Sequence, residues 1–517
     1  MTVGTPTGAH PLRRYATGLF SLIDSRWTPL VAAAAAVLLR LPALATPLRS
    51  DESGFLLVAR AWDPQPDSLF GPYFVDRPPL LIAAVRLADW VGGPYFLRVV
   101  GAVACGLLVL AAAQVARLIA NDLAARWTAV AVAALTVNPL IDAEAVKGEL
   151  LALPVIMGSF WLTLLAVRSS SARLAVLAAV LAGVLAGVAV GLKQNLVAGL
   201  VFAAVVLVMS RLTGRLSGRQ LLRLGGAAAV GAAIPVAITV GWALAVGVHL
   251  STLAYTVYGF RSDAALVIAE QSAAAPLGRA LTLVLVAIGA GLVFVIGGFL
   301  VHLAGEWRDD PVITAATLAV LVVDVAGLVA GGSYWRDYLF PLVPATALCA
   351  AMLARRSSRR GRAMRTVIVA AAASSALVVV GWIGLAANEA REAGTEIRGG
   401  QAIAEASAPG DTLVVFGGHA EVQLASGLRS PYPHLWSLPM RTLDPEYVEL
   451  RALLSGPEAP TWLMASVPFD AWDNPAGAAL AADVDRFYVR HGTGCFDRPI
   501  YLHRGLDRPA VTVAHCR

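Results

Sequence analysis

Two adjacent carboxylates, Asp51 and Glu52, stand just past the first long apolar segment, about Trp27 to Leu48. Ionised side chains at the edge of a bilayer are costly unless water, a partner or a ligand satisfies them, so the pair calls for a role. A carboxylate fixed at a membrane surface suits acid/base work, because an attacking hydroxyl needs an aligned base to receive its proton. A partly desolvated Asp51 beside Glu52 is expected to be a stronger base than usual, since like charges raise a carboxylate's pKa. Ser50-Asp51-Glu52-Ser53 also opens the helical pattern Gly54–Trp62, where a capping role fixes the carboxylate in place. Arg40, near the outer end of the apolar segment, either snorkels to the interface or pairs with the carboxylate loop and holds it.

Cations recur in similar settings. Tyr73-Phe74-Val75-Asp76-Arg77-Pro78-Pro79-Leu80 holds a guanidinium rigidly before two prolines, and its planar fork of donors suits phosphate. The alternative is an interfacial anchor balanced by Asp76. Lys147 and Lys193 are the only lysines among 40 basic residues. Lys193 interrupts an apolar stretch ahead of Gln194-Asn195, so it needs an anionic partner: a ligand, or one of Asp142, Glu144 and Glu149. Glu149 is also a candidate polar contact to an acceptor. In Tyr334-Trp335-Arg336-Asp337-Tyr338 the aromatics fit an interfacial belt, while Arg336 is a candidate phosphate ligand oriented by Asp337. Tyr255, Tyr258 and Arg261 form a weaker set of the same kind, suited to a lid over a lipid. Asp51, Glu52 and Asp76 leave a divalent cation open, but no octahedral oxygen set is visible and no metal ligand is assigned. No phosphate-cradling glycine loop, nicotinamide fingerprint, zinc helix or nucleophile elbow occurs, which disfavours a nucleotide-linked donor.

These residues must be positioned by membrane helices. Of 517 residues, 58% are hydrophobic and 14% charged, against about a quarter charged in soluble domains. Apolar runs repeatedly reach the roughly 20 residues that cross a bilayer, so the fold class is a polytopic α-helical membrane protein. The net charge of +6 comes from arginine clusters between apolar segments, where they set topology; a nucleic-acid partner is excluded. About eleven spans are expected, near 28–48, 97–116, 127–141, 150–167, 174–192, 196–210, 224–248, 280–303, 312–331, 338–354 and 366–387. Those at 127–141 and 196–210 are short. Arg13, Arg14, Arg26, Arg117, Arg126, Arg168, Arg173, Arg211, Arg215, Arg219, Arg223 and the run from Arg355 to Arg365 then share one side, the cytosolic one. The first outer loop, 49–96, and the other candidate site residues fall on the opposite side. This divides the chain into a cytosolic tail over 1–27, a membrane domain over 28–387, and an extracytoplasmic α/β domain over 388–517. In the last, Asp411–Phe416, Thr461–Ser466 and Pro499–His503 read as strands, Gly417-Gly418 as a turn and Ala420–Ser426 as a helix start. Cys495 and Cys516 lie there and can pair in an oxidising compartment; Cys105 and Cys349 read as packing residues.

The order Leu38-Leu39-Arg40-Leu41-Pro42, then Asp51-Glu52-Ser53, then Val75-Asp76-Arg77-Pro78-Pro79-Leu80 resembles the GT-C superfamily of membrane glycosyltransferases, in particular family 39, the protein-mannosyltransferase and aminoarabinose-transferase-like group. The resemblance extends to Asn138-Pro139, to Gly191–Asn195, to Tyr334–Pro341 and to the C-terminal stretches Gly410–Gly417 and Ser426–Arg429, and covers roughly the first 430 residues. It implies a GT-C-like catalytic domain performing inverting transfer of a sugar from a polyprenyl-phosphate donor to a cell-envelope acceptor (glycan, lipid or protein) on the outer face of a bacterial plasma membrane. The general base carries over to Asp51, with Glu52 as second candidate. The basic residue before Pro-Pro carries over to Arg77, here Arg where Lys is commoner. Lys193 and Arg336 join it as expected donor-phosphate ligands, with Arg40, Asp76, Glu149, Asn195 and Tyr338 in supporting positions. Two other classes stay open. One is a transporter or flippase of lipid-linked sugars, against which the absence of an internal repeat counts. The other is a non-catalytic, glycan-binding membrane scaffold.

Overall fold

The computed structural model describes residues 23, 25–142, 145–270, 274–355, 358–513 and 516. Most of the tail expected over 1–27, with Arg13 and Arg14, lies outside the described residues, as do Glu144 and Arg356.

The first apolar segment forms α1 (Thr28–Leu38) and, after Arg40, a short 3-10 turn (Leu41–Ala45) opened by Pro42. The carboxylate loop becomes α2 (Ser50–Arg60). Its first turn carries Asp51 and Glu52, where acidic groups complement the helix dipole. Glu52 reaches back to accept from the Arg49 backbone N–H at 3.0 Å, as the acidic partner of a capping box does. Pro79 starts α3 (Pro79–Gly92): its fixed φ suits a first helical position, and Pro78 before it is extended. This locks Arg77 at a bend between an extended strand of chain and a helix.

The bundle follows as α4 (Phe96–Ile119), α5 (Asp122–Thr136), α6 (Gly148–Arg168), α7 (Ala172–Leu192), α8 (Ala198–Leu212) and α9 (Gly218–Ala245). Next come α10 (Leu250–Glu270), interrupted by a π-helical turn at Tyr255–Gly259, then α11 (Ala274–Gly289), α12 (Leu292–Val301), α13 (Leu303–Asp309), α14 (Pro311–Ala330), α15 (Leu342–Ala354) and α16 (Arg359–Ala406). Among the described residues, eight helices are long and apolar enough to cross a membrane, or nine if the bent pair α10–α11 is one span. This is fewer than the eleven spans expected. The difference lies in three places. Helices α5 and α8 have 15 residues each, and the segment read as 280–303 breaks at Gly291, whose φ of +83° ends one helix and begins another.

All three shorter runs nevertheless join the two ends of the bundle. At one end of α5, Asn121 donates to the Arg355 carbonyl, and beyond its other end Asp142 meets Arg336. Helix α8 starts beside Lys193 and leads to Arg215, which pairs with Asp310. Arg279 on α11 donates to the Ser333 carbonyl, while Arg355 meets Glu306 beyond α12. One end of the bundle is therefore rich in Arg215, Asp310, Arg355 and Glu306 pairs. The other gathers the carboxylate loop, Lys147, Lys193 and Arg336.

Helix α16 runs unbroken for 48 residues, from the apolar bundle past residue 388 into the C-terminal domain. There β1 (Leu413–Phe416), α17 (Ala420–Ser426), α18 (Ser437–Leu443), α19 (Val448–Ser455), β2 (Trp462–Ala465), α20 (Gly477–Phe487), β3 (Tyr488–Thr493), β4 (Pro499–His503) and β5 (Val511–Thr512) form a five-stranded sheet in the order β1-β2-β4-β3-β5. The β1–β2 and β3–β5 pairs are parallel and the others antiparallel. Side chains alternate across β1. Val414 and Phe416 pack with Leu450, Leu463 and Leu480 on one face, while Leu413 and Val415 meet Ile403 and Ala406 of α16 on the other. The end of the membrane helix is thus part of the soluble core, which couples the two parts mechanically. Strand β3, with its bulge between Arg490 and Gly492, and the two-residue β5 escaped the sequence pattern.

Cys495 and Cys516 are joined by a disulfide, whereas Cys105 and Cys349 are free and buried. Labelling of the denatured, unreduced protein is expected to find Cys105 and Cys349 alone; reaction at Cys495 or Cys516 before reduction would contradict the bond.

Candidate active site

Glu52 and Asp51 are adjacent in sequence but face different surroundings. Glu52 turns inward, with a side chain 2% exposed, into the guanidinium of Arg98 on α4. Arg98 Nε donates to Oε1 at 3.0 Å and Nη2 to Oε2 at 2.6 Å, a bidentate fork. Oε1 also accepts from the Val146 backbone N–H. Arg98 completes its valence on the Ala43, Thr46 and Pro47 carbonyls and the Thr46 hydroxyl. Glu52 therefore ties the carboxylate loop to α4 and to the segment before Lys147, and its oxygens are occupied. This corrects the expectation that Glu52 is a second candidate base. It also moves the loop-holding role from Arg40 to Arg98: Arg40 is buried and donates to the Thr136 carbonyl at the end of α5.

Asp51 turns outward and is 30% exposed. Its Oδ1 accepts from the indole Nε1 of Trp436, in the C-terminal domain, at 3.0 Å. Its Oδ2 lies 3.0 Å from the Lys147 ammonium. Lys147 is also 3.3 Å from Asp337 and 3.6 Å from Asp142. Desolvation pushes the Asp51 carboxyl up, but Lys147 and Arg77 outweigh it and bring the pKa down to about 2. The same carboxylates raise the Lys147 ammonium well above its ordinary value against desolvation. The like-charge effect expected from Glu52 is not among the main influences on Asp51, and Glu52 itself is paired with Arg98. In its resting state Asp51 is an ionised, strongly paired carboxylate.

The neighbouring cations also carry partners. Arg77 Nη1 donates to Asp76 Oδ1 at 2.7 Å and its guanidinium lies over the Phe55 ring. The other oxygen of Asp76 meets Arg261, from α10. Gln194 Nε2 donates to the Asp76 carbonyl and to the Val257 carbonyl in the π-helical turn. It thereby pins the Arg77 bend, the α7 corner and the outer helix together. Lys193 pairs with buried Glu149 and faces the Tyr338 ring, 5.4 Å from its centroid. Of the alternatives open for Lys193, the structure has the internal pair. Gly148 permits it, because a Cβ there would stand 2.6 Å from the Leu192 carbonyl oxygen, so only glycine lets α6 start against the end of α7. Arg336 is 44% exposed, with Asp142 at 3.6 Å. Asn195 is exposed, its amide near Gly327 on α14.

Cation for carboxylate the cluster balances: Arg77, Lys147, Lys193, Arg261 and Arg336 against Asp51, Asp76, Asp142, Glu149 and Asp337. Among the described residues no group of His, Cys, Asp or Glu could hold a metal ion. The three carboxylates that left a divalent cation open are each committed to a different basic side chain. Three site residues lay outside the sequence reading of the site. Lys147 was visible as one of two lysines, and Arg98 as a charge at the mouth of an apolar helix. Trp436, 385 residues from Asp51, left no local signal.

Replacing Arg98 with Ala strands a buried carboxylate, which costs roughly 3–5 kcal/mol. A large drop in the thermal midpoint is expected, partly recovered by adding Glu52→Gln; an unchanged midpoint would contradict the assignment.

No family model and no curated protein matches the chain. Solved structures do. ArnT from Cupriavidus metallidurans, bound to undecaprenyl phosphate, is 16% identical, with a TM-score of 0.62 over 91% of this chain and 97% of that one. The archaeal oligosaccharyltransferase AglB from Archaeoglobus fulgidus, in complex with an inhibitory peptide and a dolichol-phosphate, is 14% identical, with a TM-score of 0.51 over 93% of this chain and 74% of that one. An oligosaccharyltransferase of Archaeoglobus fulgidus in the apo form is 13% identical, with a TM-score of 0.51 over 93% of this chain and 74% of that one. The agreement runs over nearly the whole chain, bundle and C-terminal domain together: this is a multi-pass membrane protein that shares its fold with these solved structures.

Proposed function

We propose that the chain is an inverting glycosyltransferase that moves a sugar from a polyprenyl-phosphate donor to a cell-envelope acceptor, at the outer face of a bacterial plasma membrane. The observation that carries this reading is the part-exposed Asp51 carboxylate, held by Trp436 and Lys147 with Arg77 close by. It lies at the bundle end opposite the Arg215 and Arg355 clusters. The likeness to transferases captured with undecaprenyl phosphate and dolichol-phosphate supports the donor class.

The chemistry follows from the charges. The acceptor hydroxyl attacks the anomeric carbon from the side opposite the phosphate, the bond from that carbon to the phosphate oxygen breaks, and Asp51 takes the hydroxyl proton. Charge builds on the departing phosphate, where fixed cations stabilise it. Lys147 and Arg77 are the cations we assign to that oxygen, with half-exposed Arg336 at the rim; Lys193, bound to Glu149, supports the wall. A phosphate that draws Lys147 toward itself also loosens it from Asp51. The carboxylate then becomes a better base just as the donor is seated. Proton uptake by Asp51 offsets the charge the phosphate gains, so the cluster stays balanced through the step.

Purified protein incubated with a panel of polyprenyl-phosphate sugars and envelope acceptors tests the reading. Asp51→Asn is expected to lower turnover by about 100-fold or more while donor affinity holds or rises, because Lys147 loses the carboxylate that competes with the phosphate. A transporter would tolerate the change, and full turnover in Asp51→Asn would defeat the proposal. Arg77→Ala and Lys147→Ala are expected to weaken donor binding or turnover at least tenfold, read in kcat/KM for the donor. Because Asp51 in the free protein titrates near 2, it should contribute no inflection to kcat/KM between about pH 4 and 7; Asp337, pushed up to about 6 by burial, is the carboxylate of the cluster that titrates in that window. An acid limb from Asp51 near its ordinary value would contradict the pairing with Lys147.

A further inference from the structure

The C-terminal domain reaches the carboxylate through one side chain, and several features exist to seat it. Trp436 stands just before α18, and its indole packs against α2 at Gly54. A Cβ on Gly54 would fall 2.1 Å from indole Cζ2, so only glycine at that turn admits the ring. The Phe55 ring borders it at 5.8 Å. From behind, the Gly417-Gly418 turn backs the Trp436–Ser437 peptide. Gly418 has φ +83°, and a Cβ there would lie 2.4 Å from the Ser437 nitrogen. The segment leading to Trp436 is stitched to the first outer loop. The Ser430 N–H donates to Tyr73 Oη at 3.1 Å, and the Phe74 N–H donates to the Pro433 carbonyl at 3.0 Å. Tyr73 and Phe74 lead directly into Asp76-Arg77. Gly54 thus clears space for the indole and Gly418 for the peptide that carries it, and the indole's only polar atom points at Asp51.

We propose that Trp436 is a positioning residue for the transfer reaction: its indole N–H fixes Asp51 Oδ1 so that Oδ2 is presented to the acceptor hydroxyl. The inference rests on the reading of Asp51 as the base. A carboxylate held by Lys147 alone is free to rotate once the ammonium turns to the donor phosphate. Held also by Trp436, it keeps its orientation, with Oδ2 as the open oxygen. The C-terminal domain then completes the catalytic site, and its attachment through α16 and the Tyr73–Phe74 stitches sets the accuracy with which the base is aimed.

The test is steady-state kinetics on the full-length protein with an accepted polyprenyl-phosphate sugar. Trp436→Phe keeps an aromatic ring against Phe55 and removes the donor. Its kcat is expected to fall about tenfold, with donor KM within about twofold and the thermal midpoint within about 2 °C. Gly54→Ala, which pushes the indole off α2, is expected to give the same split. Wild-type kcat in either folded variant would overturn the proposal. So would a fall in kcat matched by donor KM and thermal midpoint, or failure of both variants to fold, since each makes Trp436 a structural strut. Asp51→Asn separates the two claims: if it retains turnover, the base reading fails whatever Trp436→Phe does.

Discussion

One ammonium group organises the outer end of this protein. Lys147 touches Asp51, Asp142 and Asp337, which come from α2, the turn after α5 and the turn before α15. Without a cation there, three carboxylates would crowd at the edge of a low-dielectric bundle, where unpaired charge is expensive. The surrounding pairs obey the same constraint: Glu149 with Lys193, Asp76 with Arg77 and Arg261, Glu52 with Arg98. The resting site is balanced, and in the proposed reaction an incoming phosphate competes for cations already engaged. That competition links donor binding to the basicity of Asp51, because whatever takes Lys147 from the carboxylate raises its pKa from near 2.

The division between Asp51 and Glu52 shows how one turn of helix can serve two purposes. The pair sits in the first turn of α2, and consecutive residues on a helix face different directions. One carboxylate is spent on Arg98 and the Arg49 and Val146 N–H groups, which anchors the loop to α4. The other is left half-open at the surface. The anchor makes the exposed residue precise, since Asp51 rides on a helix start that cannot shift without breaking a buried ion pair.

The sequence makes the membrane class, the end of the bundle shared by the candidate residues and the place of Asp51 at its edge legible. All three depend on local signals: apolar length, arginine clusters and a charge at a bilayer edge. The motif Lys193-Gln194-Asn195 stood out for Lys193, yet its geometry runs through Gln194, which bridges Asp76 and Val257. Partner choice is a property of packing, so the sequence could not decide between Glu149 and a ligand for Lys193, or assign Arg98 instead of Arg40 to the carboxylate loop. Trp436 was least legible, because its place beside Gly54 exists only once a helix of 48 residues has carried the C-terminal domain over α2. The eight long spans followed from hydropathy, whereas α5, α8 and the broken α11–α12 run are shorter than the eleven-span pattern expected.

The central claim is that donor phosphate takes Lys147 from Asp51. A structure of the protein with undecaprenyl phosphate bound tests it most directly. The account predicts phosphate oxygens within hydrogen-bonding distance of Lys147 Nζ and the Arg77 guanidinium, with the Lys147–Asp51 separation lengthened from 3.0 Å and the Trp436–Asp51 bond retained. Phosphate bound away from both cations, with the Lys147–Asp51 pair intact, would contradict it.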